Sequence, residues 1–204
     1  MKILCVGQNY AAHNKELGNP LYNEEPVLFM KPDSALLLTG RPFFVPDFAE
    51  QFDYEAELVV RICRLGKDID ERFAHRYYDE LSVGIDFTAR DLQHRLRQKA
   101  EPWLVSKGFD GSAAVGHMVN KSELPPVGDL HFRLDIDGQT RQTGHTAEML
   151  HTVDQIIAYC SRFFTLKMGD LIFTGTPAGV GPVHEGEVIT AWLEDREVLK
   201  MRVK

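Results

Sequence analysis

The chain has 204 residues, with 23 Lys and Arg against 30 Asp and Glu, and a formal net charge of −7 at pH 7. A chain of this length forms one domain or a small pair of domains, and it can bury a core without disulfides. The acidic balance argues against a nucleic-acid-binding protein, because neutralisation of phosphates by Lys and Arg drives that affinity. No apolar run approaches the ~20 residues of a membrane-spanning helix. Three widely spaced cysteines without a CxxC pair predict reduced thiols in a cytoplasmic protein.

Short strands and few helices alternate through the first half of the chain. Apolar or alternating runs predict strands over residues 2–6, 27–31, 35–38, 54–63 and 82–87. Helices are predicted over residues 10–17, 70–81 and from 88 to about 99. Gly18 and Pro20 are expected to close the first helix, and Asp70 to cap the second. Thr88 and Asp91 form a variant of the capping box at the start of the third.

Strands also dominate the second half of the chain. They are predicted over residues 131–136, 171–174, 188–193 and 198–203. Asp137 and Gly138 predict a hairpin turn after the first of these strands. One amphipathic helix is predicted over residues 152–164. Because the strands occur in runs with few helices between them, the pattern predicts an α+β fold with mixed or antiparallel sheets, rather than a doubly wound parallel sheet.

Three acidic residues predict a site for a divalent cation. Glu55 and Glu57 are two positions apart in a predicted strand, so their side chains project from the same face. Carboxylates placed so closely repel each other, and a hard cation such as Mg²⁺, Mn²⁺ or Ca²⁺ relieves that repulsion. Asp86 ends an apolar strand just before a predicted helix, a junction at which rigid elements hold ligands near a surface opening. With Thr88 as the helix cap, Asp86 is left for this role; a solvated acidic strand face is the alternative.

Five further polar residues have spacings that suit a catalytic site. His13 and Glu16 lie three apart on a predicted helix and share a face. A carboxylate beside an imidazole suits a general base that activates water. Arg90 and Gln93 have the same spacing on the helix after the acidic strand end, and Arg90 and Lys107 are residue types that bind carboxylates. Solvated polar side chains are the alternative for His13, Glu16 and Lys107.

A glycine-rich segment over residues 174–181 follows a predicted strand. It matches neither the P-loop nor the GxGxxG fingerprint. Exposed backbone N–H groups in such a segment are suited to binding a carboxylate, and a tight turn is the alternative. The sequence has no GxSxG, no HExxH and no zinc-type spacing of Cys and His, so a covalent serine or cysteine mechanism has no support.

An ordered set of motifs extends over nearly the whole chain. They are VGQNYAAHNKE from Val6, PVLFMKP from Pro26, YEAEL from Tyr54, DFTARDLQ from Asp86, WLVSKGFD from Trp103 and GDLIFTGTP from Gly169. Each motif is weak alone, but together and in this order they resemble the fumarylacetoacetate hydrolase superfamily. The length and the opening strand are most similar to its single-domain acylpyruvase and oxaloacetate decarboxylase branch. Gln8 stands where these relatives often have Arg.

The resemblance implies a mixed β-sandwich roll formed by one domain over residues 1–204, assembled as a homodimer with one Mg²⁺ or Mn²⁺ per subunit. It implies three metal ligands, which are Glu55, Glu57 and Asp86. It implies that His13 and Glu16 form a pair that activates water, and that the segment carrying them closes over bound substrate. It also implies a catalytic lysine, Lys107, and a substrate pocket lined by Arg90, Gln93, Gly175 and Thr176.

The hypothesis that follows is a Mg²⁺-dependent hydrolase or lyase of small 2-oxo acids. Such an enzyme hydrolyses a C–C bond of acylpyruvates, or decarboxylates or tautomerises oxaloacetate, through one shared pyruvate enolate stabilised by the cation. A hydratase, isomerase or decarboxylase of aromatic catabolism in the same superfamily is one alternative. A non-enzymatic β-rich binding module with a structural cation is another. The expected partner is a small 2-oxo acid, and no nucleic acid or membrane partner is expected.

Overall fold

The computed structural model describes residues 1–18 and 24–204, so the expected helix closure at Pro20 lies outside the described residues. The strands are β1 (Ile3–Gly7), β2 (Val27–Lys31), β3 (Leu36–Leu38), β4 (Phe52–Tyr54), β5 (Ala56–Ile62), β6 (Tyr78–Asp86), β7 (Thr88–Ala89), β8 (Ala113–Val115), β9 (Val119–Asn120), β10 (His131–Ile136), β11 (Gln139–His145), β12 (Leu171–Phe173), β13 (Gly181–Pro182), β14 (Val188–Leu193) and β15 (Arg196–Arg202). The α-helices are α1 (Ala11–Glu16), α2 (Glu71–Ala74), α3 (Arg90–Gln98), α4 (Leu104–Lys107) and α5 (Val153–Phe163).

The strands form one large and two smaller sheets. The large sheet has the order β2-β1-β12-β5-β6-β8-β3, with β9 also paired to β6. In it, β1 pairs with β12 and β3 with β8 in parallel, whereas the other pairs are antiparallel. An antiparallel sheet has the order β11-β10-β14-β15, and a small sheet the order β13-β4-β7. The predicted α+β class with mixed sheets is therefore confirmed.

The large sheet and the four-stranded sheet enclose the main apolar core. Leu58 and Leu81 of the large sheet are fully buried in one cluster with Leu134 and Ala191 of the other. The two sheets approach closely at Gly116, where an added Cβ would lie 2.6 Å from the carbonyl oxygen of Val198. Burial of apolar surface at about 25 cal/mol per Å² makes this layer the main source of stability.

Two predicted elements agree closely with the structure. The hairpin between β10 and β11 turns at Asp137 and Gly138, which have φ values of 49° and 77°, as a type I′ turn requires. In α5, Thr152 Oγ1 accepts a bond from Gln155 N and Gln155 Oε1 accepts one from Thr152 N, which completes a capping box. The apolar face of α5 is buried as predicted.

The helix expected over residues 70–81 is wrong for most of its length. Asp70 does cap a helix, since its Oδ1 accepts a bond from Arg72 N, but the helix ends at Ala74. From Tyr78 onward the chain is strand β6, because seven of its nine residues pair with β5 and its last three also pair with β8. The strand expected over residues 82–87 is thus four residues longer at its start.

The capping box expected at Thr88 is also wrong. Helix α3 begins at Arg90 with Ala89 before it, and no side chain caps it. Residues 88 and 89 instead form β7, which pairs with β4. The hydroxyl of Thr88 accepts a hydrogen bond from Lys107 Nζ at 2.6 Å, so it belongs to a buried polar cluster. The Asp91 carboxylate accepts bonds from the backbone N–H groups of Glu50 and Gln51.

The strand expected over residues 54–63 is divided in two. Strand β4 ends at Tyr54 and β5 begins at Ala56, with Glu55 between them. The break lets β4 pair with β7 and β13 while β5 pairs with β6 and β12. In the described parts of the chain, no helix combines the length and the apolar character needed to cross a membrane.

Candidate active site

Strand register brings three acidic residues to one face of the β5–β6 pair. Ala56 lies opposite Ile85 and Glu57 opposite Gly84, and Asp86 N donates to the carbonyl of Glu55 at 2.8 Å. Residues opposite each other in an antiparallel pair project to the same side, as do residues two apart in one strand. One carboxylate oxygen from each of Glu55, Glu57 and Asp86 accordingly lies within 4.8 Å of the other two, and all three residues are buried.

Gly84, which lies opposite Glu57, has no space for a side chain. A Cβ at this position would lie 2.6 Å from Val59 Cγ2, 2.7 Å from the carbonyl of Ala114 and 2.8 Å from Phe173 Cε1. Two of these contacts are side chains of the core and one is backbone, so none of them moves freely. A glycine is therefore required opposite Glu57, and it was not singled out from the sequence.

Glu55 has two cationic partners. Arg90 Nη2 donates to its Oε1 at 2.5 Å, and Lys107 Nζ donates to its Oε2 at 2.7 Å. Burial disfavours the charge of this carboxyl group, but Lys107 and Arg90, with a further contribution from His13, hold its pKa well below the usual range. Glu55 is therefore ionised in the folded protein.

Lys107 is the centre of the charge network. It lies at the end of α4 and is 4% exposed, although a solvated side chain was the alternative for a lone lysine. Its Nζ donates to Glu55 Oε2, to Asp86 Oδ2 at 2.8 Å and to Thr88 Oγ1 at 2.6 Å. These three bonds account for all three protons of an ammonium group. Although burial opposes the charge, Asp86 and Glu55 raise the pKa of Lys107, so it is a fixed positive charge.

A second buried lysine, missed in the sequence, holds the other side of Asp86. Lys31 ends β2 and is 1% exposed. Its Nζ lies 2.7 Å from Asp86 Oδ1 and donates to the backbone oxygens of Ser112 and Lys107. Its position in the PVLFMKP motif, at the end of an apolar strand, was the available signal. Asp86 is thus held between two ammonium groups.

Glu57 differs from the other two carboxylates because no described Lys or Arg forms an ion pair with it. Its Oε2 accepts a hydrogen bond from Gly175 N at 2.7 Å. Burial and the neighbouring charges of Asp86 and Glu55 raise the pKa of Glu57 well above its usual value. The backbone N–H of Gly175, in the glycine-rich segment, is thus buried and bound to the protein's own carboxylate.

Arg90 connects the cluster to α3 and β4. Its Nε donates to Asp53 Oδ2 at 2.6 Å and its Nη1 to Gln93 Oε1 at 2.7 Å, in addition to its bond with Glu55. Asp53 is 4% exposed and accepts a further bond from Gln51 Nε2. Asp53 was not recognised in the sequence, where its position two residues before Glu55 was the only signal. The three bonds fix the plane of the guanidinium group.

His13 and Glu16 lie on α1 at one side of the cluster. His13 is 6% exposed, and its Nδ1 lies 3.2 Å from Glu16 Oε2. The Glu16 carboxylate also accepts bonds from Gly179 N at 3.2 and 3.3 Å, which ties α1 to the glycine-rich segment. The hydrogen bond at Nδ1 sets the orientation of the imidazole ring and leaves Nε2 for another partner.

Thr176 and Gln142 join this segment to the carboxylate strand. Thr176 Oγ1 donates to the carbonyl of Ala56 at 2.8 Å and accepts from Gln142 Nε2 at 2.9 Å. Gln142 Oε1 in turn accepts from Ala56 N at 2.9 Å. Gln142 is 2% exposed on β11, a strand that was not predicted, so its role was not visible in the sequence.

One pocket opens onto this network between β1, α1, α3 and α4. It is lined by Val6, Gly7, Gln8, His13, Leu17, Phe29, Glu55, Glu57, Asp86, Arg90, Gln93, Arg97, Trp103, Lys107 and Thr176. Eight of the ten residues singled out from the sequence line it, and the other two, Glu16 and Gly175, are hydrogen-bonded to residues around it. The structure therefore brings the whole predicted set to one place. The pocket wall adds Phe29, Arg97 and Trp103, which were not predicted.

Comparison with known proteins agrees with this geometry. The family model described as fumarylacetoacetate (FAA) hydrolase C-terminal matches residues 2–204. The mouse protein oxaloacetate tautomerase FAHD1, mitochondrial, is 38% identical over 202 residues, which are 99% of this chain and 91% of the mouse chain. The oxaloacetate decarboxylase, mitochondrial, of Dictyostelium discoideum is 41% identical over 189 residues, which are 92% of this chain and 86% of that protein.

A solved structure extends the agreement to the fold. Fumarylpyruvate hydrolase from Pseudomonas aeruginosa, in complex with Mn²⁺ and pyruvate, superposes with a TM-score of 0.93 and 37% identity. The match covers 100% of this chain and 89% of the other. The sequence motifs, the mixed sheets and the buried acidic pocket thus lead to the same result, and the chain belongs to the fumarylacetoacetate hydrolase family.

Proposed function

We propose that this protein is a divalent-metal-dependent enzyme that hydrolyses acylpyruvates and decarboxylates or tautomerises oxaloacetate. The observation that carries the proposal is the buried cluster of Glu55, Glu57 and Asp86, set beside two fixed cations and below His13 in a single pocket. The relatives named for oxaloacetate chemistry and the fumarylpyruvate hydrolase neighbour support the same substrate class.

The donor set fits a hard divalent cation. It supplies carboxylate oxygens from three residues and neither sulfur nor imidazole, which favours Mg²⁺ or Mn²⁺ over softer metals. Among the residues that the structure describes, four buried acidic side chains of this network face three buried cationic ones; the acids are Asp53, Glu55, Glu57 and Asp86, and the cations are Lys31, Arg90 and Lys107. Glu57 is the carboxylate left without an ion pair, and a divalent cation would balance it.

A bound cation would leave the pocket with an excess of positive charge, which suits an anionic substrate in an otherwise acidic protein. When bound, the cation supplies Lewis-acid stabilisation of the enolate of a 2-oxo acid. The Mn²⁺ and pyruvate in the neighbouring hydrolase support this assignment.

For an acylpyruvate, His13 provides the base. Its Nδ1 is held by Glu16, so its Nε2 takes a proton from water, and the oxygen of that water bonds to the distal carbonyl carbon. The bond from this carbon to the methylene of the pyruvate part then breaks, and its electron pair stays on the departing enolate. The enolate is protonated on carbon, which yields pyruvate and a carboxylic acid.

Arg90 and Lys107 hold and polarise the substrate rather than transfer protons. All three protons of Lys107 are already donated to protein oxygens, so its contribution is its positive charge. Arg90 and Gln93 lie together on the first turn of α3 and face the pocket, where they are placed to bind the 2-oxo acid end.

Oxaloacetate needs no attacking water, because loss of CO₂ gives the same enolate directly. His13→Ala therefore separates the two reactions. We expect acylpyruvate hydrolysis to fall by about 10²- to 10⁴-fold, the usual contribution of a general base, while oxaloacetate decarboxylation stays close to that of the wild type. His75→Ala, an exposed histidine at the end of α2, is the matched control. Hydrolysis by the His13→Ala variant at the wild-type rate would refute the role of His13.

Asp86→Asn tests the cation site itself. We expect it to abolish both reactions and to weaken Mn²⁺ binding in a calorimetric titration, whereas EDTA should stop the wild-type enzyme reversibly. A protein that binds Mn²⁺ yet turns over none of these 2-oxo acids would instead be the binding module with a structural cation. Preferred turnover of longer unsaturated dicarboxylates without C–C hydrolysis would favour the isomerase or hydratase alternative. The homodimer, the single domain over residues 1–204 and the cytoplasmic location stay predictions.

A further inference from the structure

The side-chain amide of Gln142 is bound entirely to other parts of the protein. Gln142 lies on β11 and is 2% exposed. Its Oε1 accepts a hydrogen bond from Ala56 N, and its Nε2 donates to Thr176 Oγ1 and to the carbonyl oxygen of Pro177, each at 2.9 Å. An amide has two N–H groups, so both are used in these bonds. The three bonds fix the plane of the amide and leave none of its protons for a substrate.

On one side, Gln142 holds the strand segment that carries two carboxylates of the cluster. The N–H of the peptide group between Glu55 and Ala56 donates to Gln142 Oε1. The carbonyl of the next peptide group, between Ala56 and Glu57, accepts from Thr176 Oγ1 at 2.8 Å. Thr176 in turn accepts from Gln142 Nε2. Both peptide groups that join the two proposed metal ligands are therefore fixed by Gln142, directly or through Thr176.

On the other side, β11 packs against the glycine-rich segment at Gly179. A Cβ on Gly179 would lie 2.9 Å from the carbonyl oxygen of Arg141 and 3.2 Å from Cγ of Gln142, so the backbone of the segment lies directly on β11. Gly179 N donates to both carboxylate oxygens of Glu16, and Glu16 Oε2 lies 3.2 Å from His13 Nδ1. A continuous series of contacts thus leads from Gln142 through Gly179 and Glu16 to the imidazole ring.

This series of contacts matters for one of the two proposed reactions. Hydrolysis of an acylpyruvate needs a water that His13 deprotonates at a fixed distance from the distal carbonyl carbon. Misplacing a catalytic group by about 1 Å can cost about 10²-fold in rate. Decarboxylation of oxaloacetate needs no such water. A residue that fixes His13 relative to the carboxylate cluster should therefore affect hydrolysis more than decarboxylation.

We infer that Gln142 is a positioning residue that holds the His13–Glu16 pair in place relative to the carboxylate cluster through its contact with Gly179. Gln142 does not line the pocket, so it acts through these residues and not on the substrate. The inference rests on the proposed function of the pocket. It adds a residue of the second sheet on which hydrolysis depends more strongly than decarboxylation.

Gly179→Ala tests the contact without removing a hydrogen-bonding group. The new methyl group meets the backbone carbonyl of Arg141, so the segment, with the N–H that binds Glu16, has to move away from β11. With saturating Mn²⁺, we expect kcat for hydrolysis of acetylpyruvate to fall by at least about 10-fold, with KM within about 2-fold, because positioning of the base matters in the transition state. The rate of oxaloacetate decarboxylation and the Kd for Mn²⁺ should stay within about 2-fold of the wild type.

Gly186→Ala is the matched control. Gly186 and Gly179 have φ values of 94° and 99°, so an alanine is strained to the same degree at both positions. A Cβ on Gly186, however, meets no atom of the described residues within 4 Å. We expect both substitutions to lower Tm, and only Gly179→Ala to lower the rate of hydrolysis.

Combination with His13→Ala distinguishes positioning from a general loss of structure. If Gly179→Ala acts through His13, it should change the remaining hydrolysis of the His13→Ala variant by less than about 2-fold, since the two substitutions then remove the same contribution. A purely structural effect would lower hydrolysis by the same factor in both backgrounds and would contradict the inference.

Gln142→Met provides a second, independent variant. Met has a similar volume and cannot replace the three hydrogen bonds of the amide. We expect hydrolysis of acetylpyruvate to fall by at least about 10-fold more than decarboxylation of oxaloacetate. Because this variant and Gly179→Ala disturb the contact in different ways, either of them decides the question when the other does not fold.

The outcomes separate this inference from the proposed function. Equal losses of hydrolysis and decarboxylation in the Gly179→Ala or Gln142→Met variant, or no loss of hydrolysis, would overturn the inference alone, because turnover of both substrates by the wild type supports the proposed function. Absence of turnover of both substrates by the wild type would overturn both. A selective loss of hydrolysis that disappears in the His13→Ala background would support the inference.

Discussion

The same conservative substitution is expected to have opposite effects at two neighbouring carboxylates. Glu55 is held by Arg90 and Lys107, whereas Glu57 is crowded by like charges and has a backbone N–H as its hydrogen-bond donor. Replacing either with Gln keeps the size and one acceptor oxygen and removes the negative charge. In metal-free protein, Glu55→Gln should destabilise the fold, and Glu57→Gln should not.

The magnitudes follow from these contacts. Removing one partner of a buried ion pair costs about 3–5 kcal/mol because the remaining charge is left uncompensated. At Glu55 the loss should be nearer the lower end, since Arg90 and Lys107 keep their bonds to Asp53 and Asp86. At position 57, a Gln side chain still accepts the hydrogen bond from Gly175 N, and the like-charge repulsion disappears. The free energy of unfolding should therefore rise by up to about 1 kcal/mol, a typical net value for one buried polar interaction.

Thermal unfolding in EDTA and in Mn²⁺ is the assay. For a chain of this length, 1 kcal/mol corresponds to about 2–4 °C in Tm, so Glu55→Gln should unfold several degrees below the wild type in EDTA. Mn²⁺ at about 100 times its Kd should stabilise the wild type by about 2.7 kcal/mol. Both variants should respond much less to Mn²⁺, because each lacks one proposed ligand.

Two results would refute this reasoning. Equal destabilisation by both substitutions in EDTA would show that like-charge crowding at Glu57 is not the dominant effect there. An undiminished response of Glu57→Gln to Mn²⁺ would show that Glu57 is not a metal ligand. Glu80→Gln, a half-buried residue of β6 that pairs with Arg61 and does not line the pocket, is the matched control and should change neither measurement by more than a few tenths of a kcal/mol, as is usual for an ion pair near the surface.

Three further predictions concern a buried lysine, a glycine of the large sheet and the cysteine thiols. Lys31→Met should lower the free energy of unfolding in EDTA by about 3–5 kcal/mol, since Asp86 loses one of its two buried ammonium partners. Urea denaturation measures this free energy, and a loss below about 1 kcal/mol would contradict the argument from burial. Gly84→Ala should cost about 1–3 kcal/mol as an overpacked core position, because the new methyl group meets Phe173 and backbone; an unchanged midpoint in urea would contradict it. Burial raises the pKa of all three thiols, and of the three only Cys63 is partly exposed. A thiol reagent near pH 8 should therefore modify Cys63 slowly and the other two cysteines after unfolding. Rapid reaction of all three in the native protein would contradict this prediction.

The fold class and the residues of the site were accessible from sequence because their signals are local. A hairpin turn needs two residues with positive φ, and Asp137 and Gly138 supply them next to each other. An amphipathic helix shows its period, as α5 does between Thr152 and Phe163. The acidic residues were found because two of them share a strand face and the third ends a strand.

The remainder depends on contacts distant in sequence. The segment after Ala74 has helix-compatible composition, and its pairing with β5, β8 and β9 makes it a strand. Lys31 and Gln142 reach the site from two different strands, and no spacing within the chain relates them to Glu55. The misplaced helix start had the same origin, since residues 88 and 89 are held by pairing with β4.

The bulge in the β5–β6 pair determines where the chain tolerates changes of length. The ladder is regular from Ala56 to Arg61 and shifts register between Arg61 and Ile62, near the connection to β6. Insertions in the connection over residues 63–77 are therefore absorbed beyond the bulge and leave the carboxylates in place. One residue inserted between Ala56 and Arg61 would instead turn Glu55 and Glu57 to different faces or out of register with Asp86. Among natural or engineered length variants of this protein, active ones should thus differ in the connection and not in the strand.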